Sequence, residues 1–134
     1  MRTPRLFVDS ADTAAITPLL EGSLVHGVTT NPTILDRAGR SASQIPSLYE
    51  RWVDQGAGEI FFQAWGQDSQ DIARRARQIL ELGERAVVKI VATPQGFQAA
   101  SRLARHGAPV LLTGVYTVAQ ALTAASARIR YIAP

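Results

Sequence analysis

Apolar residues fall along this chain in short runs separated by longer stretches of helical periodicity. RLFVD (5–9) reads as a first strand, and SADTAAITPLLEG as a helix with Ser10 or Asp12 near its N-cap and Gly22 near its end. VHGVTT (25–30) reads as a second strand and NPTILDRAG as a turn with a short helix. In SQIPSLYERWVDQG, Ile45, Leu48, Tyr49, Trp52 and Val53 recur at helical spacing. GEIFFQAWG (58–66) gives a third strand. SQDIARRARQILELG is the clearest amphipathic helix, with Ile72, Ala76, Ile79 and Leu80 on one stripe. AVVKIVA (86–92) is a fourth strand, and Thr93 and Pro94 have the form of N-cap and first turn of the helix in TPQGFQAASRLARHG. APVLLTGVY (108–116) is a fifth strand, TVAQALTAASA a further helix, and RIRYIAP the beginning of a sixth strand.

Strand and helix alternate throughout, and the strands are apolar as expected where both faces are covered, so the pattern predicts an α/β protein with a parallel sheet. No strand is followed by a GxGxxG or GxxxxGK[ST] loop, which argues against nucleotide binding of those kinds. Short strands with polar residues near their C-terminal ends point instead to a (β/α)8 barrel of the TIM type, whose chemistry gathers at that rim. A complete barrel takes about 250 residues, and this chain supplies roughly five and a half of the eight units.

The chain has 134 residues, enough for one domain with a real core, and the expected organisation is a single partial barrel domain over 1–134. Hydrophobic residues at 46% and charged residues at 19% fit a globular chain and exclude a disordered one. No apolar stretch approaches the roughly 20 residues of a membrane span, and the apolar run near the N-terminus is too short for a secretory signal, so a cytoplasmic protein without membrane partners is expected. Cysteine is absent, which excludes disulfide and thiolate chemistry, and His26 and His106 are too far apart in sequence to suggest a metal site. The net charge of +3 raises the question of nucleic acid. However, the arginines are scattered, and Arg74, Arg75 and Arg77 lie beside Asp68, Asp71, Glu81 and Glu84, the pattern of a solvated helix face. No nucleic-acid partner is expected.

One residue breaks the pattern. Of fourteen basic residues thirteen are arginine, and the one lysine, Lys89, interrupts the apolar strand AVVKIVA. An ammonium in such a strand is costly unless it is paired, neutralised or able to reach water. Unlike arginine, it can lose its proton and act as a nucleophilic amine. Lys89 therefore has two readings, a Schiff-base nucleophile or a strand-end residue that reaches solvent. Other polar residues stand near strand ends: Asp9, Thr29 to Asn31, Gln63 and Thr113. Each has a local explanation, such as Asp9 capping a helix, Asn31-Pro32 making a turn, or Gln63 satisfying backbone groups. Their joint placement around the only lysine favours a shared site.

FVDSADT, GVTTNPTIL, FFQAWG, VVKIVATPQG and LLTGVYTVAQAL, in that order, resemble the transaldolase family, and most closely its short fructose-6-phosphate aldolase and TalC-type branch. The resemblance covers nearly the whole chain and implies a (β/α)8 barrel. It further implies cleavage or transfer of a dihydroxyacetone unit of sugar phosphates through a lysine Schiff base, without metal or cofactor. It makes Lys89 the Schiff-base lysine and Asp9 the carboxylate assisting proton transfer. Asn31 is then the residue that binds the carbinol oxygen, Thr29 and Thr30 shape the same rim, and Gln63 and Thr113 position the catalytic water. Gln63 matches a position that is glutamate in classical transaldolases and glutamine in the aldolase branch. A deoxyribose-phosphate-type aldolase also uses a barrel lysine, but GVTTNPTI disfavours it.

Relatives continue after the motif matching YIAP with a tyrosine acting as acid/base, then with an arginine and a serine that hold the substrate phosphate. Neither Tyr131 nor Tyr116 matches that tyrosine. The expectation is a fragment or a truncation, with two chains closing one sheet as the remaining alternative, and catalysis is expected to be impaired. A non-catalytic sugar- or protein-binding remnant of the fold is the alternative function. For full-length members the resemblance implies a homo-oligomer.

Overall fold

The computed structural model describes residues 3–134; Met1 and Arg2 lie outside the described residues. The elements in chain order are β1 (Phe7–Asp9), α1 (Thr13–Glu21), β2 (Gly27–Thr29), α2 (Pro32–Arg37), α3 (Ile45–Asp54) and β3 (Glu59–Gln63). They continue with α4 (Ser69–Leu80), β4 (Ala86–Val91), α5 (Pro94–Arg105), β5 (Val110–Thr113), α6 (Val118–Ser126) and β6 (Tyr131–Ala133). A single 3₁₀ turn, Ala42–Gln44, leads into α3. The strand order is β1-β2-β3-β4-β5-β6. The β1–β2, β2–β3, β4–β5 and β5–β6 pairs are parallel, so this is an α/β fold of partial (β/α)8 barrel type.

Two compact units are distinguishable, one running to Phe62 and including Glu84–Ala86, the other comprising Gln63–Gly83 and Val87–Pro134. In the first, Ile16, Trp52, Ile60 and Phe62 are wholly buried, and the rings of Trp52 and Phe62 stack at 6.2 Å. Burial of each such side chain contributes about 1.5–3 kcal/mol. Gly27 opens β2 for a steric reason: a Cβ there would lie 2.0 Å from the Glu59 carbonyl oxygen. In the second unit, Val87, Val88, Ile90, Val110 and Leu112 make the strands apolar on both faces, as in parallel sheets whose two faces are both covered. Ala99, Ala100 and Leu103 of α5 are buried, as are Ile72, Ala73, Ala76 and Ile79 of α4, while Leu80 is half-buried.

Helix starts follow the local chemistry. Asp12, Asn31, Asp68, Thr93 and Thr117 each accept a backbone N–H at a helix N-terminus, and Asp12, not Ser10, caps α1. Strand ends are shorter than the apolar runs suggest. β3 stops at Gln63 and not Gly66, leaving Trp65 54% exposed beneath the Arg75 guanidinium, 4.2 Å from the ring centroid. β5 stops at Thr113 because Gly114 turns the chain with φ +72°, a conformation that glycine adopts without steric cost. Among the described residues no helix is long and apolar enough to cross a membrane.

Candidate active site

In the first unit Asp9 and Thr29 are the last residues of β1 and β2 and pair in register. The Thr29 hydroxyl donates to the Asp9 carboxylate at 2.8 Å. Asp9 thus ties two strand ends together, while Asp12 accepts from the amides of Ala14 and Ala15 to cap α1. Asp9 also lines a cavity of about 380 Å³ with Asp12, Ile34, Arg37 and Arg40. Asn31 caps α2, its Oδ1 accepting from Ile34 N–H at 2.8 Å. The cap uses the carbonyl end of the amide, and the NH₂ end carries two further donors. Thr30 is fully buried, and its hydroxyl and its amide both donate to the Phe61 carbonyl, at 2.7 and 3.1 Å. Its hydroxyl therefore fastens β2 to β3.

In the second unit Lys89 lies in the middle of β4 and is 8% exposed. Its register follows from the backbone. Thr30 N–H donates to Phe61 where Thr29 pairs with Phe61, and Ala92 N–H donates to Thr113 where Val91 pairs with Thr113. Ala64 N–H donates to the Lys89 carbonyl at 2.9 Å, which by the same pattern sets Gln63 opposite Lys89. Lys89 pairs with Leu111 and Leu111 with Tyr131, so Gln63, Lys89, Leu111 and Tyr131 form one row. Val91, Thr113 and Ala133 form the row two residues further along, on the same face because side chains alternate along a strand. The half-buried Gln63 and Thr113 therefore share a face with the buried amine. A buried lysine sharing a strand face with an amide and a hydroxyl side chain combines the residue types that carbonyl addition by an amine uses. Among the described residues no group of three or more His, Asp or Glu side chains is placed to hold a metal ion.

A family model described as Transaldolase/Fructose-6-phosphate aldolase matches residues 6–134. The chain belongs to this family. It is 35% identical over 130 residues to a probable transaldolase of Aquifex aeolicus (strain VF5), covering 97% of this chain and 58% of that protein. A probable transaldolase of Coprothermobacter proteolyticus is 32% identical over the same share of both chains. One of Streptococcus agalactiae serotype V is 35% identical, with 97% of this chain and 59% of that protein covered. The chain thus spans just under three fifths of the length of these relatives.

Within each unit the structure groups the residues that the family motifs single out: Asp9 with Thr29, and Lys89 with Gln63 and Thr113. Sequence reasoning missed that Tyr131 shares the row of Lys89. Pairing the sequence offsets of successive strands, 63 to 89 to 111 to 131, is the signal that exposes it.

Proposed function

We propose that this chain carries the imine-forming part of a class I aldolase or transaldolase acting on sugar phosphates. The observation that carries the reading is the placement of Lys89, the only lysine, buried in β4 with Gln63 opposite and Thr113 on the same face. Family membership supports the same chemistry.

The Lys89 amine adds to the ketone carbon of the substrate, and loss of water leaves a protonated imine. That nitrogen is an electron sink. When the hydroxyl two carbons from the imine carbon gives up its proton, its carbon becomes the carbonyl of a departing aldehyde; the bond from that carbon to the one next to the imine breaks, and its electron pair enters the imine system as an enamine. Protonation of the enamine and hydrolysis complete an aldol cleavage, and attack of the enamine on a second aldehyde completes a transfer. Asp9 is assigned proton transfer, Asn31 the carbinol oxygen, and Gln63 and Thr113 the water that forms and later hydrolyses the imine. Thr29 orients Asp9, and Thr30 braces the strand behind Asn31. The chemistry requires no cofactor.

Incubation with dihydroxyacetone and borohydride tests the reading. Reduction should leave a stable secondary amine on Lys89, located by peptide mass, and Lys89→Arg protein should stay unlabelled at that peptide. Equal labelling of the parent and of Lys89→Arg protein, confined to the N-terminal amine, would overturn it.

A further inference from the structure

All eleven acidic residues of this chain lie between Asp9 and Glu84. Residues 85–134 contain none, yet they hold Arg85, Lys89, Arg102, Arg105, Arg128 and Arg130. Three of these six cations line one cavity of about 760 Å³ between α5 and the end of α6: Arg102, Arg105 and Arg128. The α5 wall is a polar stripe, Gln98, Ser101, Arg102 and Arg105, at spacings of three, four and seven residues that put them on one side of the helix. Its opposite side, with Ala99, Ala100 and Leu103, is the buried one. From α6 come Thr123 and Ser126, whose hydroxyls donate back to their own helix, followed by Ala127 and Arg128.

Arg128 follows the C-cap Ala127 with φ +60°, the left-handed conformation that closes a helix C-terminus, as Ser23 does after α1 with φ +54°. A side chain there has a conformational cost that glycine would not have. Each arginine also offsets the negative end of a helix dipole, but that effect needs neither a cavity nor three guanidiniums lining it. Among the described residues none of the three has an acidic partner within ion-pair distance.

We propose that the α5–α6 groove is a binding site for a small anion carrying two or more phosphate groups, separate from the Lys89 face. Guanidinium forks match phosphate oxygens in pairs, and an uncompensated trio suits a ligand with charge on more than one phosphate. The cavity is of the size that small-molecule ligands occupy.

Titration calorimetry of the 134-residue chain with inorganic tripolyphosphate at low salt tests this. One-to-one binding is expected, weakened about tenfold or more in the Arg105→Gln, Arg128→Gly double variant, since each lost charged hydrogen bond costs about a factor of ten. Glycine at 128 relieves the left-handed strain, so this variant should melt no lower than the parent. Arg51→Gln, Arg77→Gln protein removes the same charge elsewhere and should bind within about twofold of the parent. No binding at about 1 mM ligand, or an equal loss in the control variant, would overturn the site, as would tighter binding of an oligonucleotide than of tripolyphosphate. None of these outcomes depends on imine formation at Lys89.

Discussion

The Thr29 hydroxyl holds the Asp9 carboxylate at 2.8 Å, joining the ends of two strands whose residues lie twenty positions apart. The bond fixes the rotamer of a carboxylate that the proposed chemistry uses for proton transfer. Thr29→Val keeps the shape and removes the donor. Borohydride trapping of dihydroxyacetone at Lys89 should slow about fivefold, the rate equivalent of about 1 kcal/mol, while Thr29→Ser retains the parent rate. An unchanged rate in the valine variant would remove Thr29 from the site.

Gly27→Ala should be severely destabilising. The added methyl would meet Glu59 backbone atoms at 2.0, 3.0 and 3.2 Å, and backbone cannot swing aside as a flexible side chain does. We expect a loss of about 3 kcal/mol or more, read as a shift of the urea midpoint with little change in slope. The φ of Gly27 is not left-handed, so the effect is one of contact alone.

Trp52→Ala should cost about 3–5 kcal/mol, because the indole is wholly buried and stacked on Phe62. Trp52→Phe should cost less than half as much. It keeps the stack and removes a buried indole N–H that has no hydrogen-bond partner among the described residues. Denaturant melts of the two variants check the order. Tryptophan emission assigns the signal, since Trp65 is 54% exposed and Trp52 is not.

Asp71 gives α4 a defined response to acid. The Arg74 guanidinium, followed by the Gln67 backbone N–H, holds its carboxyl below the ordinary value of 3.8. A carboxylate with a depressed folded-state pKa contributes stability that is full above the unfolded value and disappears as pH falls through the folded one. Asp71→Asn should therefore melt lower than the parent at neutral pH, and the gap should close in acid below the unfolded value. Added salt should narrow the gap at neutral pH, because Arg74 is largely exposed.

The sequence by itself determined the succession of strands and helices, the cap at Thr93, the choice of Ser10 or Asp12 for the cap of α1, and the singular position of Lys89. These are local properties: apolar period, a capping side chain two or three residues from the amides it binds, one lysine among arginines. Only the tertiary structure decided that Asp9 ties β1 to β2 and does not cap α1, that Gln63 and Tyr131 stand in the row of Lys89, and that Arg102, Arg105 and Arg128 line one groove. It also separated the buried Trp52 from the exposed Trp65. The reason is register. Which strand residues face each other is set by hydrogen bonds between backbone groups twenty or more positions apart, such as Ala64 and Lys89, and no local window of sequence contains both partners.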